Sequence, residues 1–253
     1  MIYDLQKAMI WKRASAYLFD FIILGIVVVG IAFSLSGLLG YDGYSETFNE
    51  RYAFYEQEYG TNFDLSQEEY TALTPEAQKT YADAYEALTR DEQALRAYSM
   101  MVNLTMVISS VSILLGYLLL EFAVPLMLHN GQTLGKTIFG VGVMRTDGVR
   151  ISTVQLFIRT VLGKYTIETM LPVLLGMMIF FGMIGRLGTM VIFVLLLVQV
   201  ILLFGNRYNA VIHDLLAGTV VVDISSQMIF DSQEDMIEYK KRISAEQAAR
   251  QEY

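Results

Sequence analysis

Four apolar blocks interrupt an otherwise polar sequence, at residues 16–40, 99–128, 167–185 and 187–205. Each approaches the ~20 residues that a helix rising ~1.5 Å per residue needs to cross about 30 Å of hydrocarbon. Lipid offers no partner to an open backbone N–H or C=O, so the blocks predict helices. The first block is longer than the apolar core of a secretory signal and further spans follow it, which predicts an uncleaved membrane helix. The pattern predicts an all-α integral membrane protein: a four-transmembrane-helix bundle with a small helical extracytoplasmic insertion and a short cytoplasmic β-hairpin.

The blocks divide the chain into 1–40 (N-terminus and first span), 41–98 (polar insertion), 99–205 (spans two to four, with a loop at 129–165) and 206–253 (C-terminal segment and charged tail). The insertion carries helix-start signals at Ser66-x-x-Glu69, Thr74-Pro75 and Thr89-x-x-Glu92. Tyr81, Tyr85 and Leu88 follow at helical spacing. In the loop, Val141 to Ile151 reads as a hairpin turning at Thr146-Asp147-Gly148, with 219–223 a candidate strand beside it. Residues 153–164 place Val154, Phe157, Ile158, Val161 and Leu162 on an apolar face flanked by Arg159 and Lys164, which predicts an interfacial helix on the inner leaflet. Pro172 predicts a kink in the third span. A tight turn around Gly182 and Gly185 joins it to the fourth, and Gly176, Gly182, Gly185 and Gly188 are candidates for close helix approach.

Charge adds an orientation. The net charge of −8 is uneven: 41–98 holds thirteen acidic and four basic residues, so the remainder is nearly neutral and gives no support for nucleic-acid binding. Lys and Arg resist translocation. With the N-terminus inside, thirteen basic residues lie on the inner side and five outside, namely Arg51, Lys79, Arg90, Arg96 and Arg186. This predicts a multi-pass protein of the cell membrane with both termini cytoplasmic and Trp11 anchoring the first helix beside Lys12 and Arg13. The insertion has two readings, a partner- or ligand-binding cap and a solvated lid. The absence of cysteine excludes disulfides, thiolate catalysis and Cys-ligated metal.

The motifs that carry chemistry are few. Gly131 to Thr137 has three residues between its glycines where a phosphate-binding loop needs four, and a membrane helix precedes it, so it reads as a tight loop that brings Lys136 near lipid phosphates. His129 and His213 each sit at a predicted membrane edge without a neighbouring metal ligand, which fits interfacial hydrogen bonding. No hydrolase motif is present, no cofactor or metal is implied, and an enzyme is not expected.

The unusual residues are carboxylates inside spans. Asp20 lies two helical turns from Arg13 on nearly the same face, Glu121 lies at a similar depth eight residues before His129, Glu168 opens the third span, and Gln199 lies in the fourth. Such groups face the bundle interior and often mark function; they also serve as structural ion pairs. Arg13, Asp20 and Glu121 are expected to converge on one inner cluster, where two adjacent carboxylates would resist joint ionisation.

Three blocks give the chain a likeness to a known family: Lys12-Arg13-Ala14-x-Ala16-x3-Asp20, Gly131-Gln132-Thr133-Leu134-Gly135-Lys136, and Ile212-His213-Asp214-Leu215-Leu216-Ala217-Gly218-Thr219. In this order they resemble the RDD family of bacterial membrane proteins, named for one arginine and two aspartates. The resemblance covers most of 7–40 and 99–223 and implies Arg13, Asp20 and Asp214 as the named trio. The 41–98 insertion is longer than the connection associated with the family. The resemblance implies transport in general, with sodium/proton exchange proposed for some members. The resulting expectation is ion or small-solute transport, coupled to protons or sodium ions, with Asp20, Glu121 and Asp214 as candidate ion or proton sites. Arg13 is their charge partner, and His213 and Lys136 are interfacial candidates. Four helices make a thin wall for a pathway, so a homo-oligomer or a membrane partner protein is expected within the lipid bilayer. The rival expectation is a non-transporting scaffold or accessory subunit that binds a partner through the insertion.

Overall fold

The computed structural model describes residues 5–128, 131–205 and 208–251. Four helices among them are long and apolar enough to cross a bilayer: α1 (Ile10–Leu39), α5 (Glu92–Leu128), α7 (Thr153–Phe180) and α8 (Arg186–Gly205). Phe21, Ile26 and Val29 of α1 and Phe193 and Val194 of α8 are each more than half exposed, the side-chain distribution expected of helices that bury their apolar surface in lipid rather than in protein. The protein is therefore an all-α membrane protein with a small two-stranded sheet. Contacts divide it into two compact units, residues 32–109 and residues 1–31 with 110–253.

The first of these units is helical, built from α2 (Tyr41–Tyr59), α3 (Gln67–Ala72), α4 (Pro75–Arg90) and the adjoining ends of α1 and α5. Gly40 takes the left-handed conformation (φ 69°) that lets α2 leave directly from α1. The Ser66–Glu69 capping box forms, and Thr74 caps α4 with Pro75 in its first turn. Thr89 starts no helix: it lies in the last turn of α4, and Asp91 accepts from the amides of Gln93 and Ala94 to open α5. Phe63, Ala84, Leu88 and Ala94 form the core, packed by Phe48, Tyr52, Tyr55 and Tyr81.

The other unit carries the short elements α6 (Leu134–Ile138), β1 (Val141–Arg145), α9 (Ile212–Ala217) and β2 (Thr219–Asp223), followed by α10 (Gln233–Gln251). The strand partner of β1 is β2, antiparallel in the register Val143 with Val221. The expected hairpin is thus reduced: its turn forms, with Arg145 N donating to Val149 O at 2.8 Å, but the return arm meets β1 only through the bridge of Arg150 with Met144 and otherwise pairs with Phe230. Val220 and Val222 are buried on one face and Val221 on the other, so β2 offers apolar cover on both faces of the sheet. Residues 6–8 join the far edge of β2, with Ala8 N donating to Val221 O at 3.1 Å. Val141, Val143 and Val221 pack on Ala8 and Ala16, which ties the sheet to the start of α1.

Residues 153–164 do not form a separate helix. They run without a break into the third span through a π-helical stretch, Ile158–Met170, and Arg159 and Lys164 are buried. A second π-helical stretch, Leu118–Ala123, interrupts α5 and carries Glu121. π segments interrupt the regular ladder, and here the Thr160 hydroxyl donates to the Glu121 backbone carbonyl at 2.9 Å across the two stretches. The α7 π stretch ends at Met170, and Pro172 lies in the first turn of the regular helix that follows.

Candidate functional site

The start of α1, the end of α5, the start of α7 and the end of α8 come together, and there the charged residues meet. Arg13 and Arg159 both bind Asp214, which is fully buried in α9. Arg13 also donates to the backbone carbonyl of Asn209 at 2.8 Å, and Arg159 to Thr219 Oγ1 at 2.6 Å. Burial disfavours the Asp214 carboxylate, but Arg159, His213 and Arg13 outweigh it and hold its pKa below the usual aspartate range.

Asp20 belongs to a different contact. Its Oδ1 accepts from the Gly135 amide at 2.7 Å and its Oδ2 from the Thr133 hydroxyl at 2.5 Å. Gly135 is required by proximity: a Cβ there would lie 2.4 Å from the Ala16 carbonyl oxygen. Thr133 is also the N-cap of α6, and Lys136 Nζ donates to its hydroxyl at 3.3 Å. That ammonium lies 3.7 Å from Glu121, which accepts from Lys164 Nζ at 2.6 Å. Burial brings the Lys136 pKa down to about 8, with Glu121 acting against it.

Glu168 closes the network on a third side. Its Oε1 accepts from the His213 amide at 2.9 Å and its Oε2 lies 2.6 Å from His213 Nδ1. α7 and α9 pack closely enough that a Cβ on Gly163 would meet His213 Cβ at 2.4 Å. A cavity of about 460 Å³ adjoins these groups, with Ile10 and Tyr17 of α1 and Leu196 and Val200 of α8 on its apolar side. A smaller cavity of about 50 Å³ reaches Leu24, Tyr117 and Glu121. Tyr17, Asp20, Lys164 and Glu168 line both and form the partition between them. Among the described residues no group of three or more His, Asp or Glu could hold a metal ion.

The RDD family model matches residues 7–218. The chain belongs to the RDD family. Searches of curated proteins and of solved structures found no match. In this RDD protein the three sequence blocks meet, but the trio is split: Arg13 pairs with Asp214, and Asp20 binds the Gly131–Lys136 block. The expected convergence of Arg13, Asp20 and Glu121 is replaced by two linked contacts. Asp20 reaches Glu121 through Thr133 and Lys136, and Arg13 lies in the other contact because Asp214 is its nearer counter-ion. Glu121, flanked by two lysines, is a paired carboxylate rather than half of an acid pair.

His213 and Lys136 are both buried, His213 against Glu168 and Lys136 against Glu121. His129 lies outside the described residues. Arg159, Lys164 and Thr133 were not singled out from sequence as site residues. The signal for two of them is spacing: Arg159, Lys164 and Glu168 are five and four residues apart, which aligns them on one helical face.

Proposed function

We propose that this RDD protein exchanges protons or sodium ions across the membrane through the polar cavity, with Asp20 as the exchanging carboxylate. The observation that carries this reading is the position of Asp20. It lines both cavities, and among the described residues no cationic group lies within salt-bridge distance of it. Its two protein partners are a hydroxyl and an amide, so lone pairs remain for a proton or a small cation. Glu121 and Asp214, each held by two cations, are fixed counter-charges in this scheme.

The charge asymmetry supports an orientation in which the network faces the cytoplasm and 41–98 lies outside. Single cysteines at Ser66 and at Thr146, in a chain with no natural cysteine, are expected to label from opposite sides; labelling of both from outside would reverse this. The transport reading is tested by purified protein in vesicles under imposed pH and sodium gradients. Wild-type protein is expected to collapse a gradient and Asp20→Asn to leave it standing. Inactivity of the wild type under every gradient, with a stable partner co-purifying, would favour the scaffold role instead.

A further inference from the structure

The larger cavity is far bigger than an ion requires. At about 30 Å³ per water molecule, its 460 Å³ would hold on the order of fifteen waters, and its size falls in the range of sites for organic ligands. Its walls are divided by chemistry. Tyr17, Leu196 and Val200 on the apolar side are each more than half exposed, so that side of the cavity is continuous with the lipid-facing surface of α1 and α8.

The same cavity is lined by four cations, Arg13, Lys136, Arg159 and Lys164, and by two carboxylates, Asp20 and Glu168. The imbalance arises because Asp214 and Glu121, which neutralise these cations, do not line this cavity. The ammonium groups also have unspent donors. Each carries three N–H groups, yet among the described residues Lys164 Nζ donates to Glu121 alone and Lys136 Nζ to Thr133 alone, with Glu121 at 3.7 Å. Arg13 lies three residues into α1 and Leu203 two residues before the end of α8, so the cavity lies toward the ends of these helices, where a lipid phosphate would be met.

We propose that this cavity is a binding site for an anionic membrane lipid, which enters between α1 and α8 with its phosphate toward Lys136 and Lys164 and its acyl chain along Leu196 and Val200. The site shares its cavity with the proposed exchange pathway but would take the phosphate at Lys136 and Lys164 rather than at Asp20, so different variants test the two readings.

The test is native mass spectrometry and thermal melting of the full chain in detergent, with added dioleoyl phosphatidylglycerol, dioleoyl phosphatidylcholine or glycerol 3-phosphate. Phosphatidylglycerol is expected to be retained at least about fivefold over phosphatidylcholine and to raise the melting midpoint, given that each basic residue near an anionic headgroup contributes appreciably to binding. Val200→Trp and Leu196→Trp fill the mouth from the lipid side and should abolish the preference while the protein stays monodisperse; two positions guard against one variant misfolding. Asp20→Asn should keep it, which separates this site from the exchange reading. Equal retention of both lipids, or a preference unchanged in both tryptophan variants, would overturn the proposal. Full stabilisation by glycerol 3-phosphate alone would overturn it in favour of a soluble phosphate site.

Discussion

At the scale of single residues, the network is a set of buried charges each given a specific counter-charge. Asp214 is the clearest case, because two arginines and no water-exposed surface surround it. Removing one member of a buried pair strands the other, so Asp214→Ala should cost on the order of 3–5 kcal/mol, read as a fall in thermal midpoint. The exposed tail residue Glu246 provides the control, and an equal effect of Glu246→Ala would contradict this assignment. His213 adds a pH dependence. Burial lowers its pKa from 6.5, against Asp214 and Glu168, so the unfolded chain takes up the proton first as pH falls. The associated stability is complete above about pH 6.5 and declines below it, down to the depressed native value. Between pH 7.5 and 5.5 the wild-type midpoint should therefore drop more than that of His213→Gln; parallel profiles would show that this histidine does not titrate in the transition. Little of this pairing was legible in sequence, since Arg159 and Lys164 find their partners 55 and 43 residues away.

At the scale of elements, local rules succeeded where the cause is local. The capping box at Ser66 and the Thr74-Pro75 start are decided within one helical turn, and both are present. They failed where a distant partner decides. The amphipathic pattern of residues 153–164 sets Arg159 and Lys164 beside an apolar face, but their distant partners Asp214 and Glu121 bury both in the protein. The glycines follow the same division. Gly176, Gly182 and Gly185 have nothing within 4 Å of an added Cβ, and at Gly188 the nearest atoms belong to Ile184 and Ile179 of the adjoining turn and helix. Gly188 thus approaches α7 at Ile179, and close approach between separate helices occurs also at Gly163 and at Gly116, where a Cβ would meet Val28 at 2.8 Å. Gly163→Ala should accordingly lose about 1–3 kcal/mol by overpacking His213. Gly176→Ala should be neutral or gain up to about 1 kcal/mol from helix propensity, and comparing the two melting midpoints checks the pair.

At the scale of the whole molecule, the four spans and the family were legible in sequence because hydropathy and three short blocks carry them. The partition between two cavities was not, since only the assembled spans set a hydroxyl and an amide beside Asp20 and two lysines beside Glu121. That distinction between Asp20 and Glu121 is the centre of the account. It is tested most directly by measuring proton flux into vesicles that contain wild type, Asp20→Asn or Glu121→Gln at equal protein content and confirmed folding. Asp20→Asn is predicted to abolish flux, whereas Glu121→Gln, which keeps a hydrogen-bond acceptor for Lys164, is predicted to retain a measurable rate. Normal flux in Asp20→Asn, with flux lost only in Glu121→Gln, would contradict the account.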